Sequence, residues 1–371
     1  MAKEPSAAAL ARWRMHSLLL GAQRAKSVAE VARWFGAMQA QDVASGKWSF
    51  GVRLPTCSEQ DIDAAVDRGE VLRTWPMRGT LHFVPAEDAG WMLEVAGIKA
   101  LAKATSRQRQ LGLDAAAVNR AADVLGKALA GGKRFTRAQA VEHLRSQGLS
   151  TEGQLAYHLL WSASQMGVTC LGPNLGKEQS FVLLSEWVPR PRHLAGDEAF
   201  ATLALRYFRS HGPASQQDFM GWTGLSAAEA KQGMAAVASE LASCIWQGKT
   251  LWMQKSLPDE AASAGRARLV HTLPGFDEYL LGIKDRTLAV PTAHQHRIIP
   301  GNNGMFMPTM VVDGVTVGVW KRTLKKAEVL IEPAPFETVP APLRAAFDEA
   351  FAAYARYLGL RAQVRWPSGG C

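Results

Sequence analysis

The sequence predicts an α+β protein, and two observations carry that prediction. First, a pattern of two capped helices followed by a strand–turn–strand segment occurs three times between about residue 25 and residue 255. Second, the last third of the chain changes to strand-rich segments that end in one amphipathic helix. Helix, helix, hairpin is the layout of a winged helix, so we expect three tandem winged-helix domains followed by a β-rich C-terminal domain with a terminal helix.

Six helix starts can be recognised from their capping residues. A Ser or Thr followed three residues later by an acid or amide satisfies the free backbone N–H groups of a helix N-terminus. These starts fall in three pairs, one pair for each expected domain, at Ser27, Ser58, Thr136, Thr151, Ser215 and Ser226. The regular pairing favours a true repeat over chance.

A strand–turn–strand segment follows each pair of helices. The three segments are VLRTWPMRGTLHFV, VTCLGPNLGKEQSFVLL and CIWQGKTLWMQ, and each has β-branched or aromatic residues around a turn. Pro76 in the first segment predicts a bulge or an edge strand. We expect linkers near 100–133 and 188–200. The expected domains are 1–100, 101–195, 196–262 and 263–371.

The C-terminal third differs from the three repeats. RLVHTLPGFDEYLLGIKDR and GMFMPTMVVDGVTVGVWKR are rich in strand-forming residues, and VDGV predicts a hairpin turn. Six apolar residues then recur at helical spacing, at Leu343, Phe347, Ala350, Phe351, Tyr354 and Leu358. They form one apolar helical face, which we expect to pack on its own domain rather than to bind a partner.

Length and composition exclude several classes of protein. The chain has 371 residues, 47% of them hydrophobic and 20% charged, which is typical of globular rather than disordered proteins. No apolar run approaches the roughly 18 residues of a membrane span, and no signal sequence is recognisable. The four cysteines include no CxxC pair, which argues against a cysteine metal site and favours a cytoplasmic protein.

The charge balance points to the kind of partner. The net charge of +9 favours a polyanion, and for winged helices nucleic acid is the simplest one. Some winged helices bind other proteins instead, so a protein-interaction scaffold stays an alternative.

Gln39-Ala40-Gln41-Asp42 is the first candidate site. It follows the first capped helix, and Gly46 is consistent with a helix end there. Glutamines at i and i+2 do not share a face of a regular helix, so they converge only where the helix ends or distorts. A solvated helix end has the same polar character, and spacing alone favours that alternative.

The wing of the first repeat is the second candidate site. In RTWPMRGTLHFV, Arg73, Arg78 and His82 alternate with Trp75 and Met77. The cations suit DNA phosphates, and the Trp and Met side chains suit a wedge inserted beside a lesion. The alternative places Trp75 and Met77 in the core of the first domain.

A basic segment, GIKDRTLAVPTAHQHRIIPGNNG, is the third candidate site. Residues 266–328 contain nine Lys or Arg against five Asp or Glu. Its candidate DNA contacts are Lys284, Arg286, His294, His296 and Arg297. His294 and His296 would face the same way on a strand, but no third ligand is near, so we expect no metal. Asp277 is expected to pair with Arg286, and a solvated loop is the alternative for the whole segment.

Four separated motifs carry a resemblance to a known family. MQAQD, RTWPMRGTLHFV, LPGFDEYLLGIKDR and VVDGVTVGVWKR, in this order, resemble the winged-helix DNA glycosylases of the AlkZ type. The resemblance covers nearly the whole chain and implies three winged helices plus a β-rich C-terminal part in a C-shaped molecule. It places the family's catalytic Gln-x-Gln motif at Gln39 and Gln41, and DNA-contacting hairpin elements near residues 266–328.

The resemblance also indicates the branch of the family. A related branch carries Gln-x-Asp, whereas the amide form present here resembles the branch associated with unhooking bulky lesions and interstrand crosslinks. Glutamine accepts no proton at neutral pH, but it can hold a water molecule and present a carbonyl dipole to an oxocarbenium ion. That suffices if the leaving base is already cationic, as in an N7- or N3-alkylated purine.

The expected protein is therefore a monofunctional DNA glycosylase that needs no cofactor. Its partner would be double-stranded DNA containing alkylated or crosslinked purines, and we expect a monomer in the cytoplasm, associated with the nucleoid. The motif has no lysine nucleophile, which argues against a lyase. Asp42 acting as a base and a non-catalytic winged-helix DNA-binding or regulatory protein are the open alternatives.

Overall fold

The computed structural model describes residues 4–21, 25–265 and 267–367, and it has the expected mixture of helices and strands. The first hairpin is preceded by four helices, which are the two predicted ones and two others. The elements of this first unit are α1 (Ala7–Ser17), α2 (Val28–Phe35), β1 (Met38–Gln39), α3 (Val43–Gly51), α4 (Glu59–Asp67), β2 (Val71–Met77), β3 (Thr80–Pro85), α5 (Ala89–Met92) and α6 (Ile98–Gln110).

The second and third units each place helices before a hairpin. The second unit comprises α7 (Ala115–Leu129), β4 (Phe135–Thr136), α8 (Arg137–Ser146), α9 (Leu155–Gln165), β5 (Thr169–Leu175), β6 (Glu178–Leu183) and α10 (Leu184–Trp187). The third unit comprises α11 (Gly196–His211), α12 (Gln216–Thr223), α13 (Ala227–Ala236), β7 (Leu241–Trp246), β8 (Lys249–Gln254) and α14 (Leu257–Ser263). All three predicted hairpins are confirmed.

The C-terminal part is strand-rich, as predicted. Its elements are β9 (Val270–Leu273), α15 (Glu278–Leu281), α16 (Gln295–Ile298), β10 (Thr309–Val312), β11 (Val315–Leu324), β12 (Glu328–Pro335), α17 (Ala341–Tyr357) and β13 (Arg361–Val364). The VDGV turn between β10 and β11 has positive φ at both Asp313 and Gly314, which is the backbone of a tight hairpin turn. Phe347, Phe351 and Tyr354 of α17 are buried in the core, as the amphipathic pattern predicts.

Five of the six predicted helix caps are confirmed. Ser58, Thr136, Ser215 and Ser226 form full capping boxes, and Ser27 accepts a hydrogen bond from the backbone of Glu30.

The prediction for Thr151 is wrong, because α9 begins only at Leu155. Gly153, which would lie in the first turn, has φ +54, and that left-handed backbone does not continue a right-handed helix.

The strands form three sheets. The largest has the order β1-β3-β2-β5-β6-β4, so the hairpins of the first and second units share one sheet. The others are β7-β8 and the five-stranded C-terminal sheet β13-β12-β11-β10-β9. The β2–β3 register shifts between Thr74 and Met77, so the bulge that Pro76 predicts is present.

The first hairpin lies where three hydrophobic clusters meet. Phe83 belongs to a cluster shared with the C-terminal domain, Met77 to one shared with α11 and α12, and Trp75 to one shared with α7 and α9. The first hairpin is therefore held by packing from all parts of the chain.

The segment near 100–133, expected to be a linker, is instead mainly helical. Asp114 caps α7 by accepting a hydrogen bond from the Ala117 amide at 2.7 Å, and α7 buries an apolar stripe. The segment near 188–200 has no regular structure between α10 and α11. Among the described residues, no helix is both long and apolar enough to cross a membrane.

Candidate active site

The Gln-x-Gln motif begins in a short strand and not at a helix end. α2 stops at Phe35, and Gly36 follows it with φ +78, so the chain leaves the helix before the motif begins. β1 then pairs with β3, with Gln39 directly opposite His82, and the Ala40 amide donates to the Leu81 carbonyl at 2.8 Å. The motif is therefore not the solvated end of a helix. The strand pairing that holds it involves a segment about 40 residues away, which a local sequence pattern does not show.

Both glutamines are held against β3. Gln39 lies in β1 and pairs with His82, whereas Gln41 lies in the bend that follows β1 and contacts Leu81 of β3. Ala40 between them is fully buried. Gln39 is half-buried and Gln41 is exposed, so both carboxamides lie at the surface of the protein.

Gly46 has a different role from the predicted one. It lies inside α3, and a Cβ atom there would come within 3.1 Å of the Ala40 Cα and of the Gln39 carbonyl oxygen. Asp42 caps the same helix, since its Oδ1 accepts from the Ser45 amide at 3.1 Å. α3 thus begins at the motif and packs tightly on its backbone.

The two carboxamides are held differently. The Leu81 amide donates to Oε1 of Gln41 at 3.3 Å, which fixes the direction of that side chain. The Gln39 carboxamide makes no hydrogen bond to another residue within the described part of the chain. One amide is therefore anchored by the sheet, and the other is available for a ligand or a water molecule.

A buried carboxylate supports the motif from below. β1 is an edge strand, and the Gln39 amide donates to Oε1 of Glu278 at 3.0 Å. Oε2 of Glu278 accepts from Nε2 of His211 at 3.1 Å and from Nε1 of Trp222 at 3.0 Å. Glu278 is only 1% exposed, so it joins the C-terminal domain, the third unit and the motif inside the protein.

The electrostatics of Glu278 follow from these donors. Burial alone would raise its pKa, but the hydrogen bond from His211, the electrostatic influence of His211 and His82, and the Gln39 amide lower the pKa to about 2. Glu278 is accordingly a carboxylate at neutral pH. Nothing in the sequence signals this group, because its three partners come from separate segments.

Asp277 pairs with a different arginine from the predicted one. Both of its oxygens accept hydrogen bonds from Arg53, at 2.8 and 2.9 Å, and Oδ2 also accepts from Ser49. The expected partner, Arg286, donates to the Leu280 carbonyl instead. Arg53 and Asp277 are both buried, so this pair fastens α3 to the start of α15 beside Glu278.

Arg78 and His82 are brought next to the motif, as the wing prediction requires. His82 is fully buried, and burial together with the nearby Arg78 charge lowers its pKa to about 4. Nδ1 of the neutral ring donates to the Thr80 carbonyl, which leaves Nε2 to accept from Arg78 at 3.2 Å. Arg78 is exposed at the hairpin turn, in a position to meet an anion.

The other residues of the wing lie in the protein interior. Trp75 and Met77 are 9% and 0% exposed and belong to two hydrophobic clusters, which corrects the wedge prediction in favour of the core alternative. Arg73 is also buried, and its guanidinium lies over the Phe83 ring at 5.7 Å. Burial, opposed by the charge of Asp63, lowers the pKa of Arg73 to about 10.

The basic C-terminal segment is only partly exposed. Lys284 and His296 are exposed, whereas Arg286 lies over the Phe306 ring at 4.9 Å. His294 stacks on Phe336 at 4.3 Å, and Arg297 covers the same ring at 4.7 Å.

The two histidines of this segment lie in short helical turns rather than on a strand, so the same-face argument for them does not hold. Within the described residues, no group of three His, Cys, Asp or Glu side chains is placed to hold a metal ion.

Comparison with known proteins identifies the family of this chain. The family described as "DNA glycosylase AlkZ-like" matches residues 32–357. An interstrand DNA cross-link repair glycosylase of Streptomyces sahachiroi is 27% identical in an alignment of 365 positions that covers 91% of this chain and 93% of that protein. The solved structure of Streptomyces sahachiroi DNA glycosylase AlkZ has the same fold, with a TM-score of 0.82 at 24% identity over 98% of this chain and all of that one. The chain therefore belongs to the AlkZ-like DNA glycosylase family.

Proposed function

We propose that this DNA glycosylase is monofunctional and hydrolyses the N-glycosidic bond of cationic N7- or N3-alkylated purines, including purines joined in interstrand crosslinks. The observation that carries the proposal is that Gln39 and Gln41 both lie against β3, with both carboxamides at the protein surface. Their Cα atoms are at most about 7 Å apart along the chain, so one water molecule can be held by both carboxamides. The proposed enzyme acts as a monomer, without a cofactor, in the cytoplasm and on nucleoid DNA.

The chemistry follows from what amides can do. The Gln41 carboxamide is oriented by the Leu81 amide, so its NH2 group faces away from the sheet. The free Gln39 carboxamide supplies a carbonyl oxygen that holds water and stabilises positive charge on the sugar. No strong base is needed, because an alkylated purine leaves as a neutral molecule once its glycosidic bond breaks. The oxygen of the water bonds to the sugar carbon as the bond to the purine breaks, and a proton of that water passes to the surrounding solvent.

Two nearby charged groups support hydrolysis by the glutamines. Asp42 is committed to the cap of α3, which weakens its case as the base. Lys47, the lysine nearest the motif in sequence, is bound by Asp63 at 2.7 Å and Glu59 at 3.4 Å. An amine held by two carboxylates is a poor nucleophile, which supports a monofunctional enzyme over a lyase.

We also propose that residues 1–100, 101–195 and 196–262 act as three winged helices that present DNA to this face, with 263–371 closing the site from below. The confirmed caps and hairpins support this division. The hydrogen bond between Glu278 and Gln39 supports a role for the C-terminal domain, since that domain supplies a carboxylate that contacts the motif.

The test compares base release with DNA binding. Wild-type protein, Gln39→Ala and Gln41→Ala are incubated with duplex DNA carrying N7-methylguanine or a purine–purine interstrand crosslink, and abasic sites are cleaved with mild alkali. Gln363→Ala, in the exposed strand β13, is the matched control. We expect release to fall about 100-fold in both motif variants while DNA binding persists. Retained binding with no release by the wild type from either substrate would favour the non-catalytic alternative.

A further inference from the structure

A groove between α6 and α9, beside the turn of the first hairpin, has no role in the chemistry described above. Its cavity of about 440 Å³ is large enough for a nucleotide-sized ligand. The lining residues that matter are Arg78, Lys99, Lys103, Tyr157 and Trp161. We call this cavity the α6–α9 groove.

The groove is basic. Three cations line it, Arg78, Lys99 and Lys103, and none of its lining residues is acidic. Lys99 is bound by Glu229, whereas Lys103 is exposed and forms no ion pair with any described residue. Arg107 follows Lys103 by four residues, so α6 presents a row of cations along one face. Such a row suits the phosphates of a nucleic-acid strand.

The opposite wall is aromatic. Tyr157 is 43% exposed although most large apolar side chains here are buried, and it lies beside His158 on α9. Trp161 lines the cavity one turn further along, and its indole N–H has no acceptor among the described residues. An exposed ring next to a row of cations is the arrangement on which single nucleobases stack.

The groove and the candidate active site share the first hairpin. Arg78 lines the groove and donates to His82, which is paired with Gln39 across the sheet. The turn residue Gly79 lies against α6 and α9, since a Cβ atom there would be 3.5 Å from Trp161 and 3.6 Å from Ala100. His82 and Gly79 are three residues apart, which is roughly 10 Å along the strand. This length corresponds to about three nucleotides of a DNA strand, at about 3.4 Å each along the helix axis.

We propose that the α6–α9 groove binds a nucleotide of the damaged DNA strand within about three positions of the lesion. Its base stacks on Tyr157, and its phosphates meet Lys103 and Arg78. This proposal rests on the proposed function, because it places the reacting nucleotide at Gln39. It adds a binding site that holds the strand while the motif acts.

The first experiment measures affinity and its salt dependence by fluorescence anisotropy. The probe is a duplex with a central tetrahydrofuran abasic analogue, which the enzyme cannot process. We expect Tyr157→Ala to bind about 10-fold more weakly and Tyr157→Phe to bind like the wild type. Lys103→Gln should lower the slope of log affinity against log salt by about 0.9, the loss of one phosphate contact. Lys127→Gln, exposed on α7, is the control that should leave the slope unchanged.

The second experiment locates the bound base. 2-Aminopurine is placed at one to eight positions from the abasic analogue, and its emission is compared between wild-type and Tyr157→Ala complexes at saturating protein. We expect a difference at positions within about three nucleotides and none further away. Wild-type affinity, slope and emission in both Tyr157→Ala and Lys103→Gln would overturn the proposal.

Binding to the abasic analogue separates this proposal from the proposed function. A wild-type protein that binds the probe through the groove but releases no N7-methylguanine would contradict the glycosylase proposal alone. Circular dichroism and thermal melting verify that the variants are folded, which is expected because Tyr157 and Lys103 are exposed.

Discussion

Replacing Glu278 with glutamine removes the buried charge under the Gln-x-Gln motif while keeping the size of the side chain. In the wild type, Oε1 accepts one hydrogen bond, from Gln39, and Oε2 accepts two, from His211 and Trp222. A carboxamide has only one oxygen, so its NH2 group must face at least one of these donors. The less costly orientation keeps the oxygen toward His211 and Trp222, and it therefore leaves the Gln39 amide unpaired.

The magnitude follows from the pKa of Glu278. The folded protein lowers that pKa from 4.5 to about 2. A gap of about 2.5 pH units corresponds to about 3 kcal/mol of preference for the charged form. We expect the free energy of unfolding of Glu278→Gln to fall by about 3 kcal/mol, in the range found when one partner of a buried charged network is removed.

The same change should affect catalysis more than binding. An unpaired Gln39 amide lets β1 shift, which moves the carboxamide away from the water it holds. We expect the single-turnover rate of N7-methylguanine release to fall about 10- to 100-fold, with DNA affinity within about threefold of the wild type. Urea denaturation and single-turnover kinetics measure the two effects. Glu349→Gln, a 72% exposed carboxylate on α17, is the matched control.

The pH dependence gives a further test of Glu278. Its folded pKa lies below its ordinary value, so its contribution to stability is complete above pH 4.5 and is lost as the pH falls toward 2. The Glu278→Gln protein should lack this limb of the stability curve. Wild-type stability, release rate and acid sensitivity in Glu278→Gln would refute the supporting role of this carboxylate.

Three other changes have definite expected results. Gly46→Ala places a methyl group 3.1 Å from the backbone of Ala40. Base release should therefore slow at least about 10-fold, while a filter-binding assay shows unchanged DNA affinity. An unchanged rate would mean that the backbone at Ala40 can move without affecting the reaction. His82 has a folded pKa of about 4 against 6.5, so stability should fall as the pH drops from 6.5 to 4, and thermal melting of His82→Gln should show a flatter profile there. Arg53→Met leaves Asp277 buried without its cationic partner, so the free energy of unfolding measured with urea should fall by about 3–5 kcal/mol. Adding Asp277→Asn to the same chain should restore part of that stability. Additive losses in the double variant would argue against the pair.

Local signals predicted much of the fold. Helix caps and hairpin turns depend on residues within a few positions of each other, so Ser58, Ser215 and the VDGV turn could be recognised directly. The prediction of a helix start at Thr151 was wrong because Gly153 has a left-handed backbone, which the spacing of capping residues does not reveal. The prediction of a linker near 100–133 was wrong, because most of that segment belongs to the helices α6 and α7.

The candidate site depended on contacts that the sequence does not show. Gln39 and Gln41 were identified through a family resemblance, but their placement depends on contacts with β3, which lies about 40 residues further along. Glu278 contacts the motif, but its partners Gln39, His211 and Trp222 are distant in the sequence, so no local pattern points to it. No sequence pattern indicates an exposed role for Tyr157, because a single tyrosine in an apolar helix is usually a core residue.

The most direct measurement is the single-turnover rate of N7-methylguanine release from duplex DNA by four proteins: the wild type, Gln39→Ala, Gln41→Ala and the double variant. If the two carboxamides hold one water molecule together, each single variant should lose about 100-fold and the double variant little more, because groups that act as a unit are not additive. Release at the wild-type rate by either single variant, with DNA binding intact, would contradict the catalytic role of the motif.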